Sequence, residues 1–146
     1  MNKKQKDNNP NLEPLSPRRI RQVRPDFFKN ETVADLSMAA RLGFIGIWIL
    51  CDRFGHFEWR PRTLKSDIFP HDNLDFDAIL AELVEFGFVR KYSACPVGST
   101  QEKDYGQVEN WDKYQYIGLA EMKMESAYPK PKTFSNVLIS SEAETF

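Results

Sequence analysis

The strongest pattern in the chain is a helical period of apolar residues in the stretch 37–51. One apolar stripe recurs at helical spacing and consists of Met38, Leu42, Ile45 and Ile49. A second apolar set lies on a neighbouring face and consists of Phe44, Trp48 and Cys51. Ser37 can cap this helix, and Gly43 and Gly46 predict that another element crosses closely there. The pattern predicts a core helix, buried on most sides, on which the rest of the chain packs.

Shorter patterns on both sides of this helix predict further elements. In the basic segment 18–28, we expect Ile20, Val23 and Phe27/Phe28 to dock on the core while the arginines face water. A helical turn is expected over 31–36. Alternating polar and apolar residues over 56–59 indicate a short strand. Pro61 can open a second helix, over about 62–69, because proline suits the first helical position.

The second half of the chain predicts a third helix and a hairpin. An apolar stripe indicates a helix over 75–86, with Asp75 as its N-cap and Gly87 as its left-handed stop. Strands over 88–93 and 105–110 follow, joined by a polar loop. The pattern then fades, leaving at most a short helix near Leu119–Ser126.

Composition divides the 146 residues into three parts. Residues 1–17 are polar and basic with almost no apolar content, which predicts a disordered arm. Residues 18–118 form the predicted domain, and 119–146 a flexible C-terminal tail. The hydrophobic fraction is 41%, with 11 Phe and 3 Trp, which is enough for one packed core.

Charge is distributed unevenly, although the net charge is only −1. Residues 1–30 hold eight Lys or Arg against three acids, whereas 72–85 hold five acids and no base. A basic end of this kind can meet a polyanion, so the pattern favours a nucleic acid partner.

No motif in the sequence indicates catalysis or a bound cofactor. The spacings of His56, His71, Cys51 and Cys95 match no zinc pattern. Neither a Gly-rich phosphate loop nor an activated nucleophile is present. We therefore expect no enzyme, no cofactor and no metal. The two cysteines form no disulfide framework, no signal peptide is evident, and the apolar stretch is shorter than the roughly 20 residues that span a bilayer. These features predict a cytoplasmic protein without membrane contact.

The order helix, strand, helix, helix, hairpin is that of a winged helix. We therefore predict an α+β fold, a winged helix-turn-helix with a three-helix core and a small β-hairpin wing. Several local strings carry a resemblance in the same order. They are Arg24-Pro-Asp-Phe-Phe-Lys-Asn-Glu31, Ala40-Arg41-Leu42, Gly46-Ile47-Trp48, Asp52-Arg53-Phe54-Gly55, Arg60-Pro61, Phe69-Pro70-His71-Asp72, Leu80-Ala81-Glu82-Leu83 with Gly87, and Asn110-Trp111-Asp112-Lys113-Tyr114-Gln115.

Together these strings, over about residues 18–117, resemble the winged-helix DNA-binding domain of phage replication proteins of the replisome-organiser or origin-binding initiator type. The chain departs from them at Tyr114, where such proteins often carry histidine. It also has only a short tail where they continue into a helicase-loading region. The resemblance implies a DNA-binding protein of phage or prophage origin that acts in replication initiation in the host cytoplasm. Its implied partners are duplex DNA, with single-stranded DNA also considered, and a helicase or its loader. The alternatives are a transcriptional regulator with the same fold and a protein–protein adaptor.

Basic residues are the candidate DNA contacts. Arginines on an arm can track phosphates or enter a groove, and the start of the second helix adds free amides. The candidates on the arm, the second helix and the wing are Arg18, Arg19, Arg21, Arg24, Arg60, Arg62, Lys65, Arg90, Lys91 and Lys103. The alternative is that these are ordinary solvated charges.

The third helix is the usual reading element of a helix-turn-helix, yet here it is acidic. It carries Asp75, Asp77, Glu82 and Glu85 and no Lys or Arg, so insertion into a groove would oppose phosphate attraction. We expect the arm, second helix and wing to make the contact, unless the acidic helix docks on a protein. Trp111, Tyr114 and Tyr116 either stack on bases or pin the segment after the wing to the core.

Overall fold

The computed structural model describes residues 19–131, so the predicted arm 1–17, Arg18 and residues 132–146 of the predicted tail lie outside the described residues. In this range the fold is α+β, with six helices and one three-stranded antiparallel sheet. The helices are α1 (Glu31–Ala34), α2 (Met38–Leu50), α3 (Pro61–Ile68), α4 (Phe76–Glu85), α5 (Trp111–Tyr114) and α6 (Leu119–Met122). The strands are β1 (His56–Glu58), β2 (Val89–Ala94) and β3 (Lys103–Val108), and a 3-10 turn at Phe27–Lys29 precedes α1.

The predicted second and third helices and all three strands are confirmed, with ends within two residues of the prediction. Ser37 caps α2 by accepting a hydrogen bond from the amide of Ala40 at 3.1 Å. Asp75 likewise caps α4, accepting from the amide of Asp77 at 3.0 Å. After α4, Gly87 has φ +80°, the left-handed stop that glycine favours.

The aromatic face of α2 forms the centre of the core. Phe44, Ile47 and Trp48 are fully buried. The ring centroids of Phe44 and Trp48 are 5.3 Å apart, as are those of Phe27 and Trp48. Tyr114 stacks on Trp48 with centroids 5.6 Å apart. The 3-10 turn, α2 and α5 are therefore joined by edge and stacked ring contacts of the kind aromatic pairs prefer.

The expectation that α2 is buried on most sides is wrong. Met38, Leu42 and Ile49 are exposed and Ile45 is only half-buried. Both faces of the helix are apolar, so hydrophobic periodicity alone cannot tell which one faces the core. The face with the larger aromatic side chains is the buried one, because it removes more apolar surface from water.

Close packing at two glycines brings α3 and α4 onto α2, as predicted. A Cβ on Gly46 would lie 2.5 Å from the side chain of Ile68 at the end of α3. A Cβ on Gly43 would lie 3.1 Å from Ile79 of α4. The carboxylate of Glu82 fixes α4 to the start of α2, because it accepts hydrogen bonds from the amide (2.6 Å) and hydroxyl (2.9 Å) of Ser37.

The sheet has the strand order β1-β3-β2. In its register Phe57 and Lys91 both lie opposite Gly106 of β3, from its two sides. Gly106 is required here because the Phe57 ring occupies the place of a Cβ, 2.2 Å away. Since successive side chains alternate between the faces of a sheet, Phe57 and Lys91 lie on one face and Tyr92 and Tyr105 on the other.

Residues 119–131 pack on the domain, although the sequence predicted a tail from 119. Ser126 Oγ is 2.7 Å from Asp52 Oδ2. The hydroxyl of Tyr92 donates to the carbonyl of Pro129 at 2.6 Å. Tyr128 covers Tyr105 with ring centroids 5.9 Å apart. The second face of the sheet is thus covered by the chain's own segment 126–129. No helix in the described range is long and apolar enough to cross a membrane.

Candidate nucleic-acid interface

Trp59 connects the start of α3 to the β2–β3 hairpin. Its amide donates to the carbonyl of Asp104 at 3.0 Å, which places the residue beside β3. Its ring stacks on Phe57 with centroids 5.9 Å apart, and the Lys91 ammonium lies 5.4 Å from the centroid of the indole. Trp59 therefore has one predicted cation of the hairpin beside its ring and directly precedes the predicted cations at the start of α3.

The first group lies at the N-terminal end of α3. Arg60 is the N-cap residue, and its side chain makes no capping hydrogen bond. Pro61 at the first helical position has no amide hydrogen, so the next two amides, Arg62 and Thr63, are the free donors. Arg60 and Arg62 are exposed and Lys65 is half-buried. Uncapped amides and two exposed guanidiniums at a helix N-terminus are a suitable arrangement for phosphate.

The second group, on the hairpin, is split between the two faces of the sheet. Lys91 shares the face of Phe57, and its ammonium is 3.7 Å from the Asp104 carboxylate. Arg90 and Lys103 lie on the other face of the sheet. The Arg90 guanidinium is 3.2 Å from the Glu109 carboxylate. Of the three predicted wing cations, only Lys91 therefore lies on the face of Phe57, next to Trp59.

Three of the four predicted arm arginines lie within the described residues, and they contact α5 or α6. Arg19 is 3.7 Å from Glu121, and Arg24 reaches the carbonyl of Asp112 at 3.5 Å. The expectation that Arg21 faces water is wrong. Its guanidinium forms a bidentate pair with Glu121 (2.8 and 2.9 Å) and donates to the carbonyls of Trp48 and Cys51 at 3.0 Å each.

Of the apolar residues in the segment 18–28, Phe27 is buried in the core as predicted, but others are not. Ile20 was expected on the core but is fully exposed, and Val23 is largely exposed. The C-terminal end of α2 has carbonyls that the helix leaves short of donors. Arg21 donates to the carbonyl of Cys51 and adds a second donor to that of Trp48, which also accepts from the amide of Cys51.

Two of the four acids on α4 have structural partners. Asp75 caps its own helix, and Glu82 binds Ser37. Asp77 and Glu85 are exposed. The acidic helix therefore uses half of its carboxylates to hold the fold together.

Two of the three aromatic residues after the hairpin hold this segment of the chain against the core. The indole nitrogen of Trp111 donates to the carbonyl of Arg53 at 2.8 Å, and Tyr114 packs among Phe44 and Trp48. Tyr116 is exposed. The aromatic residue at the candidate interface is instead Trp59, which sequence reasoning treated only as part of a strand. The sequence signal that could have identified Trp59 is its position directly before Arg60-Pro61.

Asp52, His56 and Ser126 form a buried polar cluster behind the turn after α2. Asp52 Oδ1 accepts from the amides of Phe54 (3.0 Å) and His56 (2.9 Å). Burial by itself raises the pKa of the Asp52 carboxyl, but hydrogen bonds from His56 and Ser126 outweigh it and leave the pKa below the usual 3.8.

The cluster has the residue types of a catalytic triad in a different order. The carboxylate of Asp52 lies between the other two groups, 3.3 Å from the imidazole and 2.7 Å from the hydroxyl. In a triad the imidazole contacts the hydroxyl directly and takes its proton. The arrangement here fixes the turn and the C-terminal segment to each other.

Within residues 19–131, no three His, Cys, Asp or Glu side chains come together in a way that could hold a metal ion. No protein-family model, curated protein or solved structure matches the chain. Function is therefore inferred from the geometry around Trp59 and from the residue patterns described above.

Proposed function

We propose that this chain is a DNA-binding protein of the winged-helix type, of phage or prophage origin, that acts in replication initiation in the host cytoplasm. The order of elements supports the fold assignment. The series α2, β1, α3, α4, β2, β3, with a sheet ordered β1-β3-β2, is the arrangement expected of three helices with a hairpin wing.

The observation that carries DNA binding is the uncapped, cationic start of α3 directly after Trp59, whose ring has Lys91 of the hairpin beside it. Arg60 and Arg62 flank the uncapped start of α3, and Lys91 of the hairpin lies over the same indole. A phosphate at this helix end would meet backbone donors, the positive end of the helix dipole and two guanidiniums at once. Arg21 is left out of the proposed contact because its donors are already used.

The proposed contact is led by phosphates. α4, the usual reading helix, has no base and presents Asp77 and Glu85 to solvent. Phosphate contacts fix orientation but carry no sequence information directly. We therefore expect weak to moderate affinity for duplex DNA, similar for unrelated sequences, that falls steeply as salt rises.

Fluorescence anisotropy with two unrelated duplexes at about 50 and 200 mM salt tests the proposal, because phosphate-led binding changes strongly over this range. Replacing Arg60 and Arg62 together by alanine should weaken binding to both duplexes equally and reduce the salt slope by about two, one per lost phosphate contact. Lys123→Ala is the matched control, since Lys123 is an exposed cation at the end of α6. No binding by the parent chain at the lower salt refutes the proposal.

The replication role rests on the resemblance of the local strings. It predicts that loss of the chain stops phage DNA accumulation while early transcription continues. A transcriptional regulator with the same fold would change early transcripts first. Quantifying phage DNA and early transcripts in the same induced culture separates the two roles.

A further inference from the structure

The exposed residues of α2 are all apolar, and its single charged residue, Arg41, is half-buried beside them. Met38, Leu42 and Ile49 are 79%, 56% and 43% exposed, and Ile45 lies between them half-buried. A surface helix normally carries polar residues opposite its core face. This helix has none at these four positions, which we call the α2 stripe. Ile20, fully exposed, adjoins its C-terminal end, since the amide of Arg19 bonds the carbonyl of Ile49 at 3.1 Å.

The spacing of the α2 stripe matches the seam of a helix pair. Its residues follow each other at intervals of four, three and four, which is the a/d pattern of a heptad repeat. In that pattern each apolar side chain packs between side chains of a facing helix. A second helix with the same spacing is the natural complement, and a second copy of the chain provides one.

Charges at the two ends of the α2 stripe select an orientation. Asp35, exposed, precedes the N-terminal end of α2 by three residues. At the C-terminal end, Arg19 and Arg21 share the single carboxylate of Glu121, so this end is positive. An antiparallel pair related by a two-fold axis brings Asp35 of each copy towards Arg19 of the other. It also sets the helix dipoles in opposition. A parallel pair would place like charges together.

We propose that α2 pairs antiparallel with α2 of a second copy through Met38, Leu42, Ile45 and Ile49. The contact is small. A helix of 13 residues offers a strip about 20 Å long and about 10 Å wide, well short of the roughly 800 Å² per partner of a standard interface. The dimer is therefore weak and concentration-dependent, with a Kd between about 1 µM and 1 mM. It needs no DNA, so it stands or falls independently of the proposed function.

Sedimentation equilibrium of the full chain over this concentration range is the first test. The parent should change from monomer to dimer, and Leu42→Lys should weaken association at least about tenfold, because it buries charge in the seam. Ala39→Lys is the matched control, since Ala39 is exposed on the same helix but about 100° away from Met38. It should dimerise like the parent. Circular dichroism melts should be alike for both variants, because neither position faces the core.

A monomeric parent at the highest concentration overturns the proposal, whether the stripe is then covered by another part of the chain or by a different protein. Equal loss in the Leu42 and Ala39 variants also overturns it, because the contact would then not follow the stripe.

Disulfide trapping tests the orientation. In a Cys95→Ser background, an equimolar mixture of Met38→Cys and Ile49→Cys chains should form the mixed disulfide dimer. Each variant alone should not, because the two-fold axis passes near the middle of the stripe. Cys51 is fully buried and contributes no background. Trapping of Met38→Cys with itself, without the mixed dimer, would overturn the antiparallel arrangement.

Discussion

Replacing Arg21 by methionine should destabilise the domain strongly, although the sequence placed this residue on an exposed arm. The Arg21 side chain is 5% exposed and its partner Glu121 12% exposed. The guanidinium also holds two carbonyls at the C-terminal end of α2 and lies 5.1 Å from the centroid of the Trp111 ring. Methionine keeps the apolar length of the side chain, so the change removes only the charged guanidinium and its hydrogen bonds.

The size of the destabilisation depends on the Glu121 charge that the substitution leaves buried. Removing one partner of a buried ion pair costs about 3–5 kcal/mol, because the remaining charge is buried without a counter-charge. Arg19 stays 3.7 Å from Glu121 and compensates in part, so the lower end, about 3 kcal/mol, is expected. For a domain of this size that lowers Tm by about 12–24 °C.

Urea unfolding and thermal melts followed by circular dichroism measure the effect. Arg19→Met is the matched control, since its side chain is 37% exposed and pairs with the same carboxylate at 3.7 Å. It should cost no more than about 1 kcal/mol. The double variant Arg21→Met/Glu121→Met should recover part of the loss, because no buried charge then remains unpaired. If the free energy of unfolding of Arg21→Met lies within about 1 kcal/mol of the parent value, this account is refuted, and Arg21 would then be a solvated residue as the sequence predicted.

Two further perturbations test the core and the turn after α2. Trp48→Ala should cost about 3–5 kcal/mol by leaving a cavity. Trp48→Phe should cost much less in the same melts, since the indole nitrogen has no hydrogen-bond partner to lose. At acid pH, the lowered carboxyl pKa of Asp52 gives stability that is present above pH 3.8 and is lost as pH falls through the folded-state value. Asp52→Asn should therefore flatten the acid limb of a stability–pH profile, and an unchanged limb would contradict the assignment.

Elements with local signals could be predicted from the sequence. The caps at Ser37 and Asp75 and the stop at Gly87 depend on a few neighbouring residues. A hydroxyl or carboxylate before an apolar run and a glycine after it have the same meaning in most folds. The close approach at Gly43 and Gly46 could be predicted for a similar reason, because only a neighbouring side chain explains two glycines in a core helix.

Features that depend on distant residues could not be predicted. Nothing near Arg21 in the sequence indicates Glu121, one hundred residues away, or the carbonyls of α2 that it binds. The side of α2 that faces the core depends on which face has aromatic partners, and Phe27 and Tyr114 come from opposite ends of the domain. The candidate interface was predicted in part. Arg60 and Arg62 were chosen from their helix end, but the contact of Lys91 with Trp59, the neighbour of Arg60, depends on the strand register.

The two proposals together predict how the length of the DNA affects affinity. A single copy offers a small phosphate-led contact around Trp59, and pairing through α2 would join two such contacts in one particle. Joining two weak modules raises the affinity for DNA long enough to meet both, without any new contact. Leu42→Lys should therefore leave binding to a duplex of about 10 bp, one helical turn, unchanged. Binding to a duplex three times as long should weaken, with a smaller salt slope. Equal losses on both duplexes would mean that Leu42 lies near the DNA itself. Equal retention on both would mean that the α2 pair plays no part in binding.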